Sequence, residues 1–244
     1  MKNRFLAAIA VIALVMSASC SSDSSDSVDN GNTTKKYVKT ITTTTSASGV
    51  QPTTLTINYD SAGKVTSATD GSEISYFAYD NGHLQNVSGS NDVLNVSDML
   101  STPQDAYEVG DVLNYDANGN PIKVLIYERD WDGSIYEQYV GEITYDDKPN
   151  PYYYTLEAAG IIEVLNNLDL NFSLTPQSEE LIKAKLLLPA NNPKKVVIKY
   201  EDGTVKKTVV TDYVYDDKNY PTSATATETS EYGTWIYNTT YTYK

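Results

Sequence analysis

The sequence predicts an all-β protein: an antiparallel meander of hairpins forming a curved sheet or a barrel-like domain, with a short helical insertion near 156–188. Three observations carry this expectation. Six segments share one grammar, an apolar–polar alternation that ends in Tyr followed by Asp or Glu and then by a tight turn. The composition suits strands with two different faces: 21 Tyr stand against 3 Phe, and Tyr couples an apolar ring to a polar tip that tolerates a half-exposed sheet surface. Cys20 is the only cysteine, so the fold must hold without an internal disulfide.

The chain opens with Lys2 and Arg4, then an apolar run from Phe5 to Met16, then Ser17-Ala18-Ser19 before Cys20. A basic start, a short apolar stretch and small residues at the cleavage point form a secretory signal, here residues 1–19. The run is too short for a permanent membrane helix, which takes about 20 residues. Cys20 directly after the small residues resembles a lipobox, in which the thiol is acylated. Ser17 departs from the usual Leu, and that looser pattern resembles lipoproteins of the Bacteroidetes group. The resemblance implies membrane attachment through lipidated Cys20. Residues 20–36 then read as a flexible acidic tether: Ser, Asp, Asn and Gly dominate from Ser21 to Thr34, with Val28 the one apolar residue. Asp23, Asp26 and Asp29 resemble the acidic export signal of surface-exposed lipoproteins, which implies an outer-membrane location facing the cell exterior.

Residues 37–244 read as a single β domain. Its six Tyr-Asp or Tyr-Glu pairs are Tyr59-Asp60, Tyr79-Asp80, Tyr115-Asp116, Tyr145-Asp146, Tyr200-Glu201 and Tyr215-Asp216. Period-2 alternation makes each preceding segment a strand. The acid can accept backbone N–H groups two residues on, and a following Gly or Asn supplies the positive φ that hairpin turns need. Each pair is therefore expected to close one hairpin. The spacing is too irregular for a solenoid. Thr239 to Tyr243 is a terminal strand without a turn.

One region departs from this pattern. Leu156 to Leu168 carries apolar residues at helical spacing, with Gly160 as its weak point. Thr175-Pro176 followed by Glu179-Glu180 reads as a second helix start, continuing over Leu181 to Leu188. Two short helices are expected, placed to cover or plug one side of the sheet.

The formal net charge is −14, and loss of Lys2 and Arg4 with the signal makes the mature chain more acidic still. This disfavours nucleic acid, which needs basic patches. Motifs for chemistry are sparse. His83 is the only histidine and follows Asn81-Gly82 in an expected turn. No zinc-ligand cluster, nucleophile elbow or phosphate loop is present, so no cofactor, metal or catalytic residue is assigned. Asp130-Trp131-Asp132-Gly133 has the beginning of a calcium loop but lacks its later acids and reads as a hairpin turn.

Aromatic residues supply the candidate ligand-binding positions: Trp131, Tyr152, Tyr153, Tyr154, Trp235, Tyr237 and Tyr241. Trp235, Tyr237, Tyr241 and Tyr243 share odd parity and should lie on one face of the last strand. Tyr152 to Tyr154 follow Pro151 and are expected in a loop. Such rings could stack on sugars, or serve as cross-strand pairs holding the sheet.

The Tyr-Asp signature is similar to the repeats of secreted bacterial shell proteins, though looser. Together with the lipobox and Tyr145-Asp-Asp-Lys-Pro-Asn-Pro151, it more closely resembles a Bacteroidetes surface lipoprotein family of unknown function. That resemblance spans about residues 37–244 and implies a porin-like, curved antiparallel β-fold with no established activity. Two functions stand open: a non-catalytic lipid-anchored protein that binds glycan or another extracellular ligand, or a structural component packing against a partner envelope protein.

Overall fold

The computed structural model describes residues 35–89, 92–101, 104–105, 109–130, 134–171, 182–183 and 188–244. The expected signal peptide, Cys20, the expected tether as far as Thr34, Trp131 and the expected helix start at Thr175 lie outside them, while Lys35 and Lys36 of that tether are described and ion-paired.

The chain enters the sheet with β1 (Val38–Thr45), β2 (Thr53–Tyr59), β3 (Val65–Thr69), β4 (Ile74–Asp80), β5 (His83–Ser88) and β6 (Val93–Asn95). A short helix, α1 (Val96–Leu100), and β7 (Gln104–Asp105) follow. A second run comprises β8 (Val109–Tyr115), β9 (Pro121–Arg129) and β10 (Ile135–Pro149). Then come α2 (Pro151–Ala158), α3 (Ile161–Asn167), β11 (Asp169–Asn171) and β12 (Ile182–Lys183). The chain closes with β13 (Asn191–Tyr200), β14 (Val205–Tyr215), β15 (Pro221–Ser230) and β16 (Gly233–Tyr243).

Thirteen strands form one sheet in the order β6-β5-β4-β3-β2-β1-β16-β15-β14-β13-β10-β9-β8. It is the expected antiparallel meander, open and curved: β6 and β8 are its two edges and do not pair. The first and last strands meet at its centre, where Ile41 faces Tyr241 and Thr43 faces Thr239. A separate three-stranded sheet, β12-β11-β7, contains a parallel pair, β11 with β7. Ile182 and Lys183 pair with Leu170 and Asp169 as a strand, so the helix expected over Leu181 to Leu188 is not continuous there. Backbone pairing with β11 takes precedence over the local helical pattern.

Register separates two faces. Directly opposed residues share a face, so the pairs Phe77–Val87, Ile57–Ala68, Ile41–Leu55, Ala224–Tyr213 and Ile143–Val196 trace one continuous inner face. Helices α2 and α3 lie on it. Val38, Ile41, Leu55, Ile57, Val65 and Leu84 bury against Leu156, Ile161, Val164 and Leu165. A smaller cluster of Val124, Ile143 and Val196 holds β9, β10 and β13. The outer face is a threonine surface with paired hydroxyls, Thr40 with Thr242 at 2.6 Å and Thr42 with Thr54 at 3.0 Å.

Helix α2 starts earlier than the periodicity suggested. Asn150 caps it, accepting from the Tyr152 N–H at 3.0 Å, and Pro151 occupies the first turn, where its missing N–H costs nothing. Tyr152, Tyr153 and Tyr154 are therefore helical, contrary to the loop expected for them. Gly160, at φ 74°, ends α2 and divides the insertion into two helices.

Candidate functional site

Five of the six Tyr-acid pairs lie at one end of the sheet, where two devices recur, while Tyr200-Glu201 closes the β13–β14 hairpin at the other end, with Asp202 rather than Glu201 accepting from the Thr204 N–H at 2.8 Å. The first is a turn. Asp60, Asp116 and Asp216 each accept from backbone N–H groups two and four residues on, at 2.8–3.0 Å. In each the residue three after the Asp has positive φ: Gly63, Gly119 and Asn219. The second is a hydroxyl tie. Tyr59, Tyr79, Tyr145, Tyr213 and Tyr243 donate to the carbonyls of Val38, Val65, Pro121, Pro193 and Pro221, at 2.6–3.1 Å. Each joins a descending strand to the start of the ascending strand before it.

Tyr145-Asp146 does not close the expected hairpin. Pro149 stands where that turn needs positive φ, and its ring fixes φ negative. Strand β10 therefore runs on to Pro149. Asp146 keeps the expected bond from the Lys148 N–H two residues on, at 2.9 Å, and accepts also from the Asn192 N–H at 3.1 Å and from the Tyr215 hydroxyl. Around it Asn120, Asn191 and Asn192 are buried. Asn120 donates to Asn191 at 2.9 Å and accepts from the Ala190 N–H at 2.8 Å. This knot fixes the β8–β9 turn to the exit of β10 and the entry of β13. Its polar groups are occupied with one another.

The end carrying these devices also carries Lys35, Lys36 and the C-terminal Lys244. Lys36 pairs with Asp216, and Lys35 with Glu157 at 2.8 Å. His83 sits there as well, at the start of β5, with Nδ1 2.5 Å from Glu163.

The expected parity of the last strand is observed. Trp235 lies opposite Glu228, Tyr237 opposite Ala226 and Thr45, and Tyr241 opposite Ile41, all on the inner face. The face divides them. Tyr241 packs edge-on against the buried Tyr152 with centroids 6.1 Å apart, and burial holds the hydroxyls of both above their ordinary pKa. Tyr153 and Tyr154 stack in α2 and reach Tyr220 through Tyr154. These four rings belong to the packing between α2 and the sheet. Trp235 and Tyr237 join neither hydrophobic cluster and are partly exposed.

Small residues surround this second pair. Ala226 lies opposite Tyr237, and the Trp235 ring covers Gly233, where an added Cβ would sit 3.6 Å from it. Glu228 is held by Lys207 at 3.1 Å. Beyond lies a group the sequence reading missed. Lys206 places its ammonium 3.6 Å from the centre of the Tyr139 ring and 5.7 Å from that of Tyr200. It pairs with Glu128 at 3.1 Å, while Tyr139 donates to Glu137 at 2.5 Å. Hydrogen bonding from Tyr136, ahead of Lys206, holds the Glu128 carboxyl below its ordinary pKa. Lys206 is a bulged residue at the Ile198–Lys199 register shift, and no local motif announces a bulge. Tyr139 itself is buried, so the partly exposed rings here are Trp235, Tyr237 and Tyr200, with carboxylates and ammonium groups beside them, suited to ring stacking and hydrogen bonding. Among the described residues, no group of three or more His, Cys, Asp or Glu could hold a metal.

No family model and no curated protein matches the chain. Among solved structures it is similar to a porin-like protein from Bacteroides uniformis, with 14% identity and a TM-score of 0.41 over 85% of this chain and 98% of that one. It is similar also to a porin-like protein from Bacteroides vulgatus, with 15% identity and a TM-score of 0.35 over 85% and 99%. A LolA superfamily protein from Nitrosomonas europaea gives 10% identity and a TM-score of 0.25 over 85% and 84%.

Proposed function

We propose that this chain is a lipid-anchored, non-catalytic protein of the outer membrane, attached through Cys20 and facing the cell exterior. Its ligand is a glycan, received on the upper inner face at Trp235 and Tyr237. The observation that carries the reading is that these two rings lie two residues apart on the inner face of β16, partly exposed and outside the core. Sugar rings stack on such side chains, and Glu228, Lys207 and Thr45 stand next to them to meet hydroxyl groups. The non-catalytic part rests on how the acids are used: Asp60, Asp116 and Asp216 are consumed by backbone N–H groups. A glycan array with the mature protein and its Trp235→Ala variant tests the reading. Binding that disappears in the variant supports it; no binding to any sugar removes it.

A second reading, a structural component packed against a partner envelope protein, is favoured by β6 and β8, which stand at the two edges of the sheet among the described residues. Co-purification of a partner from membrane extracts tests it.

A further inference from the structure

We propose that the end of the sheet opposite the Asp60, Asp116 and Asp216 turns is a docking rim for a basic polypeptide segment in which lysines or arginines alternate with apolar side chains. The proposal deepens the second reading and rests on it, and it is independent of glycan binding.

The two ends of the sheet differ in chemistry. At the lower end the Asp60, Asp116 and Asp216 turns are polar and internally hydrogen-bonded, and the exposed apolar residues there, Leu113, Ile122 and Val214, stand on the strands beside them. At the upper end a large apolar side chain is exposed in or just after each of the turns that follow β1, β9, β13 and β15: Val50, Tyr136 at 60%, Val205 at 52% and Tyr232 at 80%. Ile135 is exposed beside Tyr136. Exposed apolar groups from neighbouring turns are a recognised mark of an interaction surface, and aromatic residues are enriched in such surfaces. The last three of these turns belong to adjacent strand pairs of one sheet. Lys206 of β14 ties these strand pairs together, its ammonium 5.7 Å from the centre of the Tyr200 ring on β13 and 3.1 Å from Glu128 on β9.

Charge selects the occupant. By strand position this end carries Glu128, Asp130, Glu137, Glu142, Glu201, Asp202, Glu228 and Glu231 against Arg129, Lys199, Lys206 and Lys207, and Lys199 and Lys207 are already paired with Glu142 and Glu228. Lys206 shows the same chemistry within the chain, its ammonium lying over the buried ring of Tyr139 with Glu128 as its counter-charge. Cations are attracted to ring faces, the more so when carboxylates flank them. A partner bringing apolar side chains and further cations would bury Tyr232 and Val205 and neutralise the surplus of acid. An anionic lipid surface would be repelled, and an acidic peptide likewise.

The test uses the mature chain and a fluorescent peptide of alternating lysine and leucine, read by anisotropy, with a glutamate–leucine peptide and vesicles of zwitterionic lipid as the other arms. The lysine peptide is expected to bind, and the glutamate peptide and vesicles are not. Tyr232→Ser with Val205→Ser, and separately Glu201→Gln with Glu231→Gln, are expected to weaken binding about tenfold, which corresponds to about 1.4 kcal/mol. Asp147→Asn with Asp217→Asn, at the far end, is expected to leave it unchanged. Equal loss in the far-end pair, or no loss in the rim pairs, would mean that net charge alone attracts the peptide and would overturn the rim. Vesicle binding that Tyr232→Ser abolishes would overturn the polypeptide in favour of lipid. A partner that still co-purifies with the rim variants would sink the rim and leave the second reading standing.

Discussion

The Tyr243 hydroxyl donates to the Pro221 carbonyl at 2.6 Å, binding the last strand to the start of the strand before it. Four other hairpins carry the same tie. Because Tyr243 lies opposite Val38, this contact also secures the seam where the two ends of the chain meet. The tyrosines that dominate the aromatic residues are thus divided between joinery at one end and a partly exposed surface at the other.

Removing one tie should cost a measurable part of the stability. Tyr243→Phe keeps the ring and deletes the bond, for an expected loss of about 1 kcal/mol. Tyr79→Phe should cost more, because that hydroxyl also meets the Ala159 carbonyl at 3.2 Å and links the hairpin to the end of α2. Urea denaturation of the two variants gives the order; equal stability of Tyr79→Phe and the parent chain would contradict it.

Glycine is required at two sites for different reasons. At Gly141 an added Cβ would meet Val124 Cγ2 at 2.8 Å, so Gly141→Ala overpacks the small cluster at a cost of about 1–3 kcal/mol. At Gly160 the positive φ alone costs an L-residue about 1–2 kcal/mol, and Leu84 Cβ lies 3.0 Å from the added atom. Both variants should lower the thermal midpoint, whereas Gly89→Ala, with open space around it, should not.

Acid should loosen the turns. Burial pushes the Asp216 carboxyl up, but the Lys36 ammonium and the N–H groups of Tyr220 and Lys218 more than offset this and hold it below its ordinary value. The Glu73 N–H and the Ser72 groups lower Asp70 in the same way. A depressed folded value stabilises above the unfolded carboxylate range, near pH 4, and that contribution is lost as pH falls through the folded value. Stability should therefore fall below about pH 4, and Asp216→Asn should reduce the acid dependence in a denaturation series.

Alkali should act through the buried phenols. Burial pushes Tyr59 and Tyr220 up to about 12 and raises Tyr152, Tyr213 and Tyr243 as well. A folded value above the unfolded one means stability is intact below about pH 10 and is lost as pH climbs beyond it. An ultraviolet titration should show exposed tyrosines ionising first, and the remainder only as circular dichroism reports unfolding. A single titration of all tyrosines near pH 10 with the sheet intact would contradict this.

How much of this was legible depended on range. The Asp60, Asp116 and Asp216 turns could be read locally, because an acid and a positive-φ residue three positions on suffice. Tyr145-Asp146 was misread because its preceding alternation matches the others, while the deciding residue is Pro149. The cap and first turn at Asn150-Pro151 were present as a signal but were overlooked beside the stronger apolar spacing that begins at Leu156. The pairing of β1 with β16, the register of β10 on β13 and the bulge that turns Lys206 toward Tyr139 depend on contacts between distant residues and have no local signature. Parity placed Trp235, Tyr237 and Tyr241 on one face, but only the packing of α2 separates Tyr241 from the other two.

The glycan reading comes down to whether a sugar touches Trp235. Trp131 and Trp235 are the only tryptophans, so Trp131→Phe leaves Trp235 as the sole indole reporter. Titrating that variant with the glycan that scores highest on the array should shift or quench its emission saturably, with a midpoint matching the binding constant measured by calorimetry, and Tyr237→Ala should weaken both together. Calorimetric binding with no change in Trp235 emission and no effect of Tyr237→Ala would contradict a ligand site on the upper inner face.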